Sequence, residues 1–88
     1  MASQTFTITE ASGLHARPTT LLVNAAAKFQ SKITITYNDR TVDLKSILGV
    51  MSLAVAENGV ITITTEGADE DAALAGIAET ITSQNLGK

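Results

Sequence analysis

At 88 residues with a net charge of −3, the chain is sized for one small domain and shows no basic stripe for nucleic acid. It has no cysteine, which excludes disulfides, thiol catalysis and Cys-based zinc sites, and a single histidine argues against a His-rich metal centre. Apolar residues make up 44% but aromatics only 3%, so the core must be built from Ile, Leu, Val and Ala. No apolar run reaches the ~20 residues of a membrane span and no secretory leader pattern is visible, so a cytoplasmic domain without membrane insertion is expected.

Thr5-Phe6-Thr7-Ile8-Thr9 alternates polar and apolar residues and predicts a strand with Phe6 and Ile8 facing the core, broken by Gly13. Leu21, Leu22, Ala25, Ala26 and Phe29 then form one face of an amphipathic helix over roughly 16–28. Pro18 is tolerated only in the first turn, which fixes the helix start near His15 or Ala16. Ile33, Ile35 and Tyr37 alternate with Lys32, Thr34 and Thr36 in a second strand, and Asn38-Asp39 is a turn signal returning Arg40–Asp43 as a third. Ser46 is placed as N-cap of a short helix whose face is Ile47, Leu48 and Met51; some of these three are expected in the core, because so short a helix has little else to bury. Asn58-Gly59 marks another turn, and Val60–Thr65 is a fourth strand with Ile61 and Ile63 on one face. Asp69 is a candidate N-cap for a third helix with Ala73, Leu74, Ile77, Ala78 and Ile81 on its apolar face, and Gln84–Lys88 is read as a tail that frays or caps it.

The order is βαββαβα. Strands separated by a helix need a crossover, and two split βαβ units satisfy the right-handed rule when all helices lie on one face of a four-stranded antiparallel sheet. The expected class is therefore α+β, an open-faced β-sandwich, with Thr on the face that meets water.

His15 is the residue on which the chemistry turns. A strand ends before it and a helix begins after it, so the imidazole is expected at a helix N-terminus, where free N–H groups and the dipole favour an anion. Arg17, two residues on, can add a charge-assisted hydrogen bond. Neutral imidazole attacks phosphorus without a general base, so a phosphoryl group that arrives, rests on His15 and leaves fits this placement, and in-line approach by a second protein requires His15 to be exposed. On these residues alone, an ordinary surface histidine beside a solvated arginine stays open. An enzyme with a small-molecule substrate is disfavoured by the absence of paired carboxylates and of room for a deep pocket.

Gly13-Leu14-His15-Ala16-Arg17-Pro18 resembles the active-site signature of the HPr family, the histidine-containing phosphocarriers of the bacterial phosphoenolpyruvate-dependent sugar phosphotransferase system. Asp43-Leu44-Lys45-Ser46-Ile47-Leu48-Gly49-Val50-Met51-Ser52-Leu53 resembles that family's regulatory segment, and Gly67-Ala68-Asp69-Glu70 with the closing helix fits as well. The resemblance covers essentially the whole chain, residues 1–88. It implies that His15 receives a phosphoryl group at Nδ1 from enzyme I and passes it to sugar-specific IIA domains, with Arg17 contacting the phosphate and no cofactor. It implies, for the Gram-positive type, that Ser46 is modified by HPr kinase/phosphorylase and that the modified form works with catabolite control protein A. It also implies docking of partners on Ile47, Leu48 and Met51. A related alternative is a regulatory module acting through Ser46 alone, against which the presence of His15 counts.

Two departures from the family pattern carry expectations. Ala54 stands where many relatives carry Gly; a left-handed backbone there would strain Ala, and the second helix is expected instead to run a little further. On the docking face Arg17, Lys28 and Lys45 are the remaining basic residues, so electrostatic steering should be modest and apolar contact should carry more of the affinity.

Overall fold

The computed structural model describes residues 1–88. The elements follow in the expected order: β1 (Ala2–Thr7), α1 (Ala16–Ala27), β2 (Lys32–Tyr37), β3 (Arg40–Asp43), α2 (Ile47–Ser52), β4 (Val60–Glu66) and α3 (Glu70–Ser83). The four strands form one antiparallel sheet in the order β1-β4-β2-β3. Ile33, Ile35, Ile61 and Ile63 point to one side, where they join Leu22 and Ala26 of α1, Val50 of α2, and Ala73, Ile77 and Ile81 of α3 in a single buried cluster. The opposite face carries Thr5, Thr36, Thr41 and Thr62, with Thr5–Thr62 and Thr36–Thr41 hydroxyls within hydrogen-bond reach at 3.2 and 2.8 Å. This is the open-faced α+β sandwich, since every helix covers the isoleucine face.

Local chemistry explains most boundaries. The two-residue loop Asn38-Asp39 has φ of +50° and +66°, the conformation that matches the twist of a β-hairpin and that Asn and Asp tolerate better than other side chains. β1 begins earlier than its alternation predicts: Ala2, Ser3 and Gln4 pair with Thr65, Thr64 and Ile63, so the length of β4 extends it where the side chains give no signal. Ile8 lies just past the strand, fully buried, in a bridge with Gly87.

Two helix ends differ from expectation, and a third decides between two that were open. Residue 69 is the N-cap position of α3, but with φ −109° and ψ 29° its carboxylate is not aimed at the helix amides. It accepts instead from the Gln30 and Ser31 amides, both at 2.9 Å, and from the Ser31 hydroxyl. α2 stops at Ser52 rather than running on, and Ala54 adopts the left-handed φ of +54° that closes it. The tail caps α3 rather than fraying, the second of the two expected outcomes. Leu86 donates its amide back to Ile81 O at 2.9 Å and is buried, and Lys88 exchanges both backbone hydrogen bonds with Thr7 at 2.8 and 2.9 Å.

Candidate functional site

His15 is the N-cap residue of α1, with extended backbone and no side-chain capping bond. The loop that presents it is held on both sides. Gly13, at φ +66°, donates its amide to Glu10 O at 2.9 Å, and the next amide, Leu14, donates to Val55 O at 2.9 Å. The Leu14 carbonyl receives the hydroxyl of buried Thr19 at 3.1 Å, and Leu14 itself is buried in the core. His15 is the first residue after this anchor, and its imidazole is 42% exposed. The expected exposure is therefore present.

The first intrahelical bond of α1 runs from Thr19 N–H to His15 O at 3.0 Å. Pro18 has no amide, so Ala16 and Arg17 are left as the N–H groups at the helix mouth. His15, Arg17, Pro18 and Leu21 line one shallow pocket of about 90 Å³, closed by Glu10 before the loop and by Gln84 and Leu86 after α3. Arg17 is exposed, and neither the Met1–Glu70 ion pair nor the His15–Glu10 contact involves it. An anion entering this pocket would meet the Arg17 guanidinium and the His15 imidazole together, with the Glu10 carboxylate on the far wall.

Glu10 is the residue that reading the chain in order missed. Its Oε1 lies 3.7 Å from His15 Nε2, so a carboxylate does face the histidine. The signal available was Gly13: a turn closing from residue 13 onto residue 10 folds the chain so that Glu10 comes back alongside His15. Leu21 likewise moves from predicted core to pocket wall, because Val23 takes the buried position beside Leu22.

Ser46 occupies the N-cap of α2 as expected, with its hydroxyl accepting from the Gly49 amide at 3.1 Å. The expectation that some of Ile47, Leu48 and Met51 are core is overturned. They are 42%, 83% and 42% exposed, and Val50 is the only buried residue of α2, supplemented by Leu53 and Val55 after it. A six-residue helix needs only one inward residue when the chain following it continues into the core. Three large apolar side chains thus stand in solvent beside Ser46. The Lys45 ammonium is tethered rather than free to swing, since its Nζ donates to Phe29 O at 2.8 Å just past the C-terminal end of α1.

Comparison with known proteins gives the same pattern a family. Residues 2–83 match the family model described as PTS HPr component phosphorylation site. The histidine-containing phosphocarrier protein of Mycoplasma is 40% identical, with 99% of each chain covered and a TM-score of 0.96. The phosphocarrier protein HPr of Bacillus anthracis is 40% identical over 90% of this chain and 94% of its own, with a TM-score of 0.84. The catabolite repression protein Crh of Bacillus subtilis, a swapped dimer in its crystal, is 34% identical over 96% and 97% of the two chains, with a TM-score of 0.74. A chain that matches a phosphorylation-site family over nearly its whole length, and superposes on HPr proteins end to end, belongs to the HPr family of phosphotransferase-system phosphocarriers.

Proposed function

We propose that this chain is a single phosphocarrier domain, residues 1–88, that takes a phosphoryl group from phosphorylated enzyme I onto His15 and delivers it to sugar-specific IIA domains in the cytoplasm. The observation that carries this reading is the exposed imidazole of His15 at the mouth of α1, in one pocket with Arg17. One ring nitrogen donates its lone pair to phosphorus as the bond to the donor breaks, and the electron pair of that bond stays with the donor. The Arg17 guanidinium would steady the phosphoryl oxygens, with the free amides of the first turn of α1 adding to it. Because Arg17 and His15 line an open pocket, the group can be steadied without being trapped.

Ile47, Leu48 and Met51 supply the apolar contact with partners, supported by their exposure together on one short helix. Ser46 is the regulatory position: phosphorylated by HPr kinase/phosphorylase, it would place roughly −2 charges beside that patch, with the Gly49 amide already directed at its oxygen, and serve recognition by catabolite control protein A.

Incubation with phosphoenolpyruvate and enzyme I tests the carrier role. The expected product is an acid-labile, base-stable phosphate on His15, absent from His15→Ala. An intact wild-type protein that takes up no such phosphate would overturn the reading and leave regulation through Ser46 alone. In the same assay Ser46→Asp is expected to slow His15 phosphorylation, because added negative charge at the docking face opposes association.

A further inference from the structure

We propose that Glu10 is a positioning residue for His15: its carboxylate holds the ring proton on Nε2 and so leaves the Nδ1 lone pair to form the bond to phosphorus. The geometry carries this. Of the two ring nitrogens, Nε2 is the one that faces Glu10 Oε1, at 3.7 Å, a separation that a small side-chain movement closes to a hydrogen bond. A neutral imidazole has one N–H donor and one lone pair, while an ionised carboxylate only accepts. A carboxylate placed against Nε2 therefore selects the tautomer with the proton there, and the nucleophilic pair falls to the nitrogen on the other edge of the ring.

Glu10 is also held where it can do this. Its carbonyl receives the Gly13 amide at 2.9 Å, its own amide donates to Leu86 O at 3.3 Å, and the Thr9 amide donates to the same oxygen at 2.9 Å. Leu86 is in turn buried. Arg17, the other charged side chain lining the pocket, forms no ion pair with Glu10, so the carboxylate remains available to the imidazole.

The consequence for transfer rests on the phosphocarrier reading of His15; the tautomer does not. As the Nδ1 pair forms the N–P bond, the bond from phosphorus to the donor breaks and its electrons stay with the donor atom. No proton leaves the ring, which becomes a phosphorylated imidazolium with its N–H still directed at Glu10. The attraction between ring and carboxylate is thus stronger after the pair is committed than before, which is the condition for an interaction to favour the transfer itself. On delivery the pair returns to Nδ1 and the neutral ring is restored.

The test is ¹⁵N NMR of the His15 ring in the full chain, at a pH where the ring is neutral, combined with phosphorylation by enzyme I. Glu10→Ala is expected to raise the fraction of the Nδ1–H tautomer and to lower the rate of His15 phosphorylation by about 2- to 5-fold, the size expected of an exposed pair. Glu10→Gln, whose amide can donate as well as accept, is expected to bias the tautomer less than Glu and to restore only part of the rate. An unchanged tautomer ratio in Glu10→Ala would overturn the proposal. Failure of the carrier reading would show separately, as wild-type protein that takes no phosphate from enzyme I while its tautomer still responds to Glu10.

Discussion

The Asp69 carboxylate accepts both the hydroxyl and the amide proton of Ser31, a residue 38 positions earlier, and so fastens the start of α3 to the turn that follows α1. The Ser31 hydroxyl, followed by the Gln30 amide, holds this carboxyl below its ordinary value of 3.8. A folded-state value below the unfolded one means stabilisation that is complete above the ordinary carboxyl range and lost as pH falls through the folded value. Asp69→Asn is therefore expected to lower the urea midpoint near neutral pH. The gap to wild type should narrow as pH drops below the ordinary Asp range, and midpoints measured across that range check it.

Leu48 and Val50 separate docking from stability within one helix. Val50 is fully buried and Leu48 is 83% exposed. Val50→Ala should cost about 2 kcal/mol through lost burial and the cavity left behind. Leu48→Ala should change stability by no more than about 0.5 kcal/mol. In phosphorylation by enzyme I the order reverses: Leu48→Ala slows the reaction, whereas Val50→Ala, assayed where it remains folded, retains it. Denaturant midpoints and initial rates on the two variants give both readouts.

Ala54 pays for a left-handed backbone with a β-carbon it does not need. At φ +54° the replacement Ala54→Gly should stabilise the protein by up to about 1 kcal/mol, seen as a higher thermal or urea midpoint. Were the helix to continue through residue 54, the same change would instead destabilise by a similar amount.

Gly13 has the opposite character. Its φ is +66°, and a β-carbon there would run into the Val55 carbonyl oxygen, the acceptor of the Leu14 amide. Gly13→Ala must shift backbone rather than a flexible side chain. A loss of about 2 kcal/mol or more is expected, with reduced phosphorylation of His15 even under conditions where the variant remains folded. Urea titration and the enzyme I assay on the same preparation measure the two effects.

Much of this was legible in order along the chain. Period-two runs located β2 and β4, the Asn38-Asp39 pair located the hairpin, and Pro18 located the start of α1, because each is a local signal. What escaped was set by contacts between distant segments. β1 starts at Ala2 because β4 is there to pair with it, and the Asp69 side chain leaves the α3 amides because it bonds Gln30 and Ser31 instead. The outward turn of Ile47, Leu48 and Met51 could not be read from their spacing, since apolar residues at helical intervals look the same whether they face a core or a partner. Glu10 was hidden for a related reason: a turn brought together two residues whose separation in sequence carries no helical or strand period.

The tail strap also orders events during synthesis. Glu10 and the floor of the histidine pocket lean on Leu86, and Thr7 exchanges hydrogen bonds with Lys88. A nascent chain that ends before β4 has no strand to pair with β1, and one that ends at α3 still lacks the residues that secure Glu10. The His15 pocket is closed by segments far apart in the chain, so a nascent chain that has reached His15 but not yet Leu86 presents the His15 sequence without its finished pocket.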